Sequence, residues 1–353
     1  MAGEHRRESI SHCDPLDLLR DVSRSFYLTL CVLPARIRRQ IGLAYLLART
    51  ADTIADTDLV PVDQRLQALQ ALRERIQGRR QAPLDFGDLA ASQGSTAERA
   101  LLEQCEASLA LLRALTPADR DLVTAVLETI TTGQEWDLRR FAGASSDHVV
   151  ALRLPAELDD YTYRVAGCVG EFWTRMCRSH LFPDAPLDEK SLLARGVRFG
   201  KGLQLVNILR DLPQDLRQGR CYLPAEELAS LGLKPQDLLQ ATNEPILRPL
   251  YNSYLRVAEG HLRAGWTYTN ALPWRCVRVR LACAWPLLIG CQTLELMRAG
   301  NVLDSGQTIK VPRRKVRAIM LRSMLYYPWP GAWHQLFPSY RGAHGLDGLE
   351  VDR

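Results

Sequence analysis

The sequence predicts an all-α protein. Apolar residues recur at helical spacing from Leu16 to Leu325, and alternating strand patterns are nearly absent. The breaks between periodic stretches carry helix-ending punctuation at Pro34, Pro61, Gly78, Pro117, Pro183, Pro224 and Gly300. Helices are therefore expected over 15–31, 35–57, 62–78, 96–114, 117–141, 155–180, 188–212, 224–230, 244–270, 275–299 and 312–326. The longest irregular stretch, Gln81 to Ser95, reads as a surface loop rather than a linker, and no repeat of solenoid length occurs. One domain over 1–353 is the economical reading, with a core of about 15–326 and an aromatic tail, 327–353.

Composition narrows the class. Of 353 residues 46% are hydrophobic and 24% charged, too apolar for a disordered chain. The nine cysteines are scattered without a CxxC pair, which suits reduced thiols in a cytosolic protein. No apolar stretch follows the first charged residues, so no secretory signal is expected. The longest apolar run, Leu281 to Cys291, is interrupted by Pro286 and is too short to span a bilayer. Forty of the 45 basic residues are arginine, a balance that suits phosphate and anionic lipid, but no nucleic-acid module is present.

Two helical segments carry the chemistry. In Ile41 to Thr57, Tyr45, Arg49, Asp52 and Asp56 follow at spacings of four, three and four and share one face. Leu43, Leu46, Leu47, Ala48, Ala51 and Ile54 make the other faces apolar, so the polar stripe faces something polar inside the protein. In Gly200 to Asp215 the pattern returns as Gln204, Asn207, Asp211 and Asp215, with Arg210 beside the stripe. One such pair alone suits a solvated face or a buried ion pair. Two pairs on apolar helices, each with an arginine at hand, call for a cationic partner. Oxygen donors suit magnesium, which keeps waters and bridges to phosphates, while the arginines take further phosphate oxygens. Two facing pairs would hold magnesium over a diphosphate. Ionisation of an allylic diphosphate fits, with metal drawing off the leaving group and apolar walls keeping water from the carbocation.

The motifs SRSFYLTL (Ser23 to Leu30), DTIAD (Asp52 to Asp56), YTYRVAGCVG (Tyr161 to Gly170) and QLVNILRDLPQD (Gln204 to Asp215) stand in the order found in squalene and phytoene synthases. The chain resembles that family over roughly Ser23 to Arg317, and CAWPLLIGCQTLE (Cys283 to Glu295) looks more like its squalene synthases. The resemblance implies one isoprenoid-synthase-type helical domain around a central cavity. It also implies head-to-head condensation of two farnesyl diphosphates through presqualene diphosphate to squalene, with NADPH as reductant.

Residue by residue, the resemblance makes Asp52, Asp56, Asn207, Asp211 and Asp215 magnesium ligands. It makes Ser23, Arg24, Tyr45, Arg49 and Arg210 diphosphate contacts, with Gln204 and Phe26 also lining the substrate site. Tyr161 is implied for proton handling, with the departing diphosphate as the equal alternative base, beside Asp52 and Asp211 as catalytic groups. Ala166, Gly167 and Gly170 allow close approach of another helix or of a prenyl chain. Gln134 and Asp137 look like part of a family GxxxDL element, with a capping or surface role as the alternative. His148, His180 and His261 are assigned nothing. Ala55 and Gln214 stand where squalene synthases usually carry an extra acid, and Pro213 should kink or end its helix near Asp215.

No GxGxxG follows a strand, so Lys310, Arg313 and Arg314 are the candidates for NADPH phosphates. The basic, aromatic segment Val311 to Trp333 suits a membrane interface, unless Ile319, Met320 and the tryptophans close the core. The rivals are a dehydrosqualene or phytoene synthase acting without reductant and, more distantly, a non-catalytic lipid-binding scaffold. The expected location is cytoplasmic with peripheral membrane contact.

Overall fold

In the computed structural model of the chain, residues 15–23, 26–306 and 308–338 are described. They fall into two compact units: residues up to Ala142 with Arg175–Pro183, and Gly143–Thr174 with the residues from Asp184 onward. Both are helical, as the periodicity requires.

In the first unit a 3-10 turn, Pro15–Leu18, leads into α1 (Leu19–Val22) and α2 (Phe26–Val32). A single helix over 15–31 was expected; instead it breaks at Ser23, whose hydroxyl donates to the Leu19 carbonyl and ends the turn. Then come α3 (Ala35–Ala55), α4 (Val62–Ile76), α5 (Gly87–Ala91), α6 (Thr96–Glu103), α7 (Cys105–Arg113) and α8 (Pro117–Arg140). The expected loop 81–95 thus contains a helical turn, because Phe86 and Leu89 are buried and pull it onto the core. The expected helix 96–114 is split where Gln104 leaves the helical basin. α3 is the axis of this unit: Leu43, Leu46, Leu47, Ala51 and Ile54 are buried, and α8 packs along it. Near the start of α8, Asp119 accepts from Gln40 at 3.0 Å and pairs with His180 at 2.7 Å. His180, assigned nothing from the sequence, fastens the second segment of this unit to the first.

The second unit holds β1 (Val150–Ala151), α9 (Pro155–Thr162), a π-helical turn (Tyr163–Gly167) and the first part of α10 (Cys168–Leu181). It continues with α11 (Glu189–Arg217), β2 (Arg220–Cys221), α12 (Ala225–Ser230), α13 (Glu244–Ala271), α14 (Val277–Ala299), α15 (Arg313–Tyr326) and α16 (Pro330–His334). The two short strands pair in parallel, Val150 opposite Arg220. α11 packs along α13 and crosses the π turn at a glycine contact. A Cβ on Gly170 would lie 1.9 Å from the Gly196 carbonyl oxygen, and one on Gly200 would lie 2.0 Å from that of Ala166. The small residues of YTYRVAGCVG therefore serve close helix packing.

Two features shape this unit. Pro213 was expected to kink or end its helix near Asp215; α11 passes through the proline and ends at Arg217, two residues beyond Asp215. Proline lacks the N–H that would reach the Leu209 carbonyl; the buried Tyr251 hydroxyl of α13 donates to that oxygen instead, at 2.9 Å. Farther on, Arg280 is 2% exposed and, among the described residues, pairs with no carboxylate. Its guanidinium donates to the Asn270 and Leu272 carbonyls at 3.0 and 2.7 Å and lies near the rings of Trp274, Trp333 and Tyr327 at 4.6, 5.4 and 5.8 Å. Trp333 and Phe337 stack on Trp266, so part of the aromatic tail is core. Among the described residues no helix is long and apolar enough to cross a membrane.

Candidate active site

The first unit presents the predicted stripe on the second part of α3. From Ile41 to Ala55 the other residues are buried apart from the half-buried Ala48, while the first turns are exposed at Arg36, Arg38 and Arg39. Tyr45, Arg49 and Asp52 are half-buried, and Asp56, the C-cap, is exposed. Phe26 stacks on Tyr45 with centroids 4.7 Å apart, joining two predicted substrate residues. Asp52 accepts from Gln134 of α8. Its carboxyl is pushed up to about 7, first by desolvation and then by the Asp56 charge, with Arg49 opposing. Arg49 lies 3.9 Å from Asp52 but is held at 2.6 Å by Glu98 in the first turn of α6. Glu98 escaped the sequence reading because nothing local marks an acid in TAERALLE as the partner of a residue 49 positions away. Neither Gln134 nor Asp137 is a surface group: Gln134 is bonded to Asp52, and Asp137, in the last turn of α8, is buried. Ser23 is 3% exposed with its hydroxyl committed to Leu19, and Arg24 lies outside the described residues.

The second unit presents the other stripe on α11. Gln204, Asp211 and Asp215 are half-buried and Asn207 is exposed, whereas Leu205, Val206, Ile208, Leu209, Leu212 and Leu216 are buried. Arg210 folds back on its neighbour, its Nε and a terminal N–H donating to the two Asp211 oxygens at 2.8 and 2.6 Å. This bidentate fork holds the guanidinium beside the stripe. Tyr161, 7% exposed, stacks on Tyr222 with centroids 5.0 Å apart and hydroxyls 3.4 Å apart. Tyr222 follows β2 and carries no sequence signal that links it to Tyr161. Lys310, Arg313 and Arg314 are exposed at the start of α15.

The donors fit magnesium. They are carboxylate and amide oxygens, the hard donors that magnesium takes, although among the described residues no group of three or more His, Cys, Asp and Glu could hold an ion by itself. A cation held by one pair would keep coordination positions for water and phosphate, which is magnesium's preference.

Helical units with carboxylate pairs on the open stripes of buried helices define an isoprenoid-synthase-type fold. The chain belongs to the squalene/phytoene synthase family, a family of prenyltransferases, whose sequence model matches residues 19–315. It is 30% identical over 242 residues to a presqualene diphosphate synthase of Zymomonas mobilis, covering 69% of this chain and 70% of that protein. It is 29% identical over 217 residues to a bifunctional lycopene cyclase/phytoene synthase of Blakeslea trispora. That match covers 60% of this chain but only 32% of the fungal protein, so the chain spans about a third of its length. The solved structure of TcSQS with the ligand BPH1237 superposes with a TM-score of 0.73 at 22% identity, covering 91% of this chain and 87% of that one.

Proposed function

We propose that this chain joins two farnesyl diphosphates head to head to presqualene diphosphate and carries that intermediate to squalene with NADPH. The two carboxylate stripes, each with an arginine and each flanked by buried apolar residues, carry the reading. Asp52 and Asp56, and separately Asn207, Asp211 and Asp215, would hold magnesium, which would supply charge to the departing diphosphate. The chain's own groups do the rest. Arg49 exchanges Glu98, and Arg210 exchanges Asp211, for phosphate oxygens, so each guanidinium is held ready without substrate. The Phe26–Tyr45 stack forms apolar wall that keeps water from the cation. Tyr161, with its hydroxyl beside that of Tyr222, handles the proton lost in the first condensation. One synthase domain made of both units, in a cytoplasmic protein that touches membrane to deliver its hydrocarbon, completes the reading.

Lys310, Arg313 and Arg314 suit the phosphates of NADPH, but as exposed cations on an outward helix turn they offer nothing to a nicotinamide. A second reading, arrest at presqualene diphosphate, is favoured by the similarity to the Zymomonas mobilis protein of that name. Purified protein with farnesyl diphosphate and magnesium, with and without NADPH, tests both. Presqualene diphosphate without NADPH and squalene with it are expected. Presqualene diphosphate under both conditions selects the second reading, dehydrosqualene under both selects the carotenoid-type rival, and no condensation overturns the proposal.

A further inference from the structure

α15 is rotated by a buried contact: the Trp285 indole N–H of α14 donates to the Ser323 hydroxyl at 2.9 Å, and Ser323 is fully buried. That fixes which residues point away. Leu321, Met324 and Leu325, spaced three and four, are 55%, 47% and 55% exposed, and Trp329 beyond the helix is 63% exposed. Arg314 and Arg317, one and two turns earlier, share that outward face and are exposed as well. Ile319 and Met320 lie half-buried and Trp333 fully so; these are the residues that close the core, and the outward set is separate from them. From Asp304 to Asp347 the sequence contains no acidic residue.

We infer that the outward face of α15, with Trp329, is a docking surface for an anionic membrane. A helix with a basic first half and an apolar second half, ending in an exposed tryptophan, matches a bilayer interface: cations at the headgroups, leucines and indole at the acyl boundary. A protein partner would be expected to answer some of these charges with a patterned surface of its own. Here the positive charge is unrelieved over the whole segment, which suits a diffuse sheet of negative charge. The inference deepens the membrane contact in the proposed function but rests on the surface itself, so it stands or falls apart from catalysis.

Co-sedimentation of the full chain with vesicles tests it. Vesicles of phosphatidylcholine with about a third phosphatidylglycerol should bind the protein, and pure phosphatidylcholine should bind it roughly tenfold less or more weakly still. Raising salt from about 50 to 500 mM should weaken binding by a similar factor, since the charges act across water. Leu321→Ser with Leu325→Ser, and separately Arg314→Glu with Arg317→Glu, should each lower the partition about tenfold. Their helicity and melting temperature should stay unchanged, because these side chains contact solvent. Equal binding to both vesicle types, no binding to either, or unchanged binding in the leucine variant overturns the inference. Conversion of a dimer to a monomer by that variant also overturns it, because the face then belongs to a second copy. Condensation assayed in detergent separates the two proposals: activity without vesicle binding removes the surface alone, and binding without activity removes the reaction alone.

Discussion

Asp52 shows how a site residue can be strained by its own environment. Its carboxyl holds a proton to about pH 7 in the folded chain, against an ordinary value of 3.8, because burial and Asp56 both disfavour the anion. Between those values the folded state binds the extra proton. The group's contribution to stability therefore falls as pH rises from about 4 and levels off above about 7. Asp52→Asn keeps the acceptor for Gln134 and removes the charge. Without metal, the variant should melt higher than the parent at about pH 8, and the gap should shrink toward pH 4; thermal melts across that range check it. Turnover should be lost in the same variant, since an amide is a poorer magnesium ligand. A melting gap that widens toward low pH would contradict the electrostatic account.

At the scale of elements, α11 depends on a residue from another helix. The Leu209 carbonyl is left open by Pro213 and closed by Tyr251. Tyr251→Phe should cost about 1–3 kcal/mol by leaving that buried oxygen unpaired. Pro213→Ala restores a backbone N–H to the same carbonyl, so the tyrosine should matter less in that background. Urea melts of the two single variants and the double variant would reveal this non-additivity. Gly170→Ala should be harsher, because the new methyl falls on the Gly196 backbone and the two helices cannot both stay in place. A loss at or above the ~1–3 kcal/mol typical of overpacking is expected, read from the same melts. These cases also show what a sequence can disclose. Helix positions and the two stripes were legible because periodicity and proline act locally. The continuation through Pro213 was not, because its rescue comes from a residue 42 positions away. Glu98 and Tyr222 were hidden for the same reason, and the π turn because its sequence reads as ordinary helix.

For the whole molecule, metal and stability are one equilibrium. A cation that binds only the folded chain stabilises it by about 2.7 kcal/mol at a hundredfold excess over its dissociation constant. Magnesium with inorganic pyrophosphate should therefore raise the melting temperature by a few degrees, and chelator should reverse the shift. Combined Asp52→Asn and Asp211→Asn should abolish the response; a full shift in that variant would place the ion elsewhere. The aromatic enclosure of Arg280 bears on how the chain reaches its folded state at all. Synthesis runs from the N-terminus, so Arg280 leaves the ribosome before Tyr327 and Trp333 exist. Trp333 lies 63 residues beyond Asn270, whose side chain it bonds. At translation speeds of roughly 5–20 residues per second, the guanidinium waits seconds for its cover. The second unit thus cannot finish its core on the nascent chain. Its last step is held until the tail is made, and a message cut short before Tyr327 yields a product in which Arg280 keeps the Asn270 and Leu272 carbonyls and the Trp274 ring but lacks the cover of Tyr327 and Trp333.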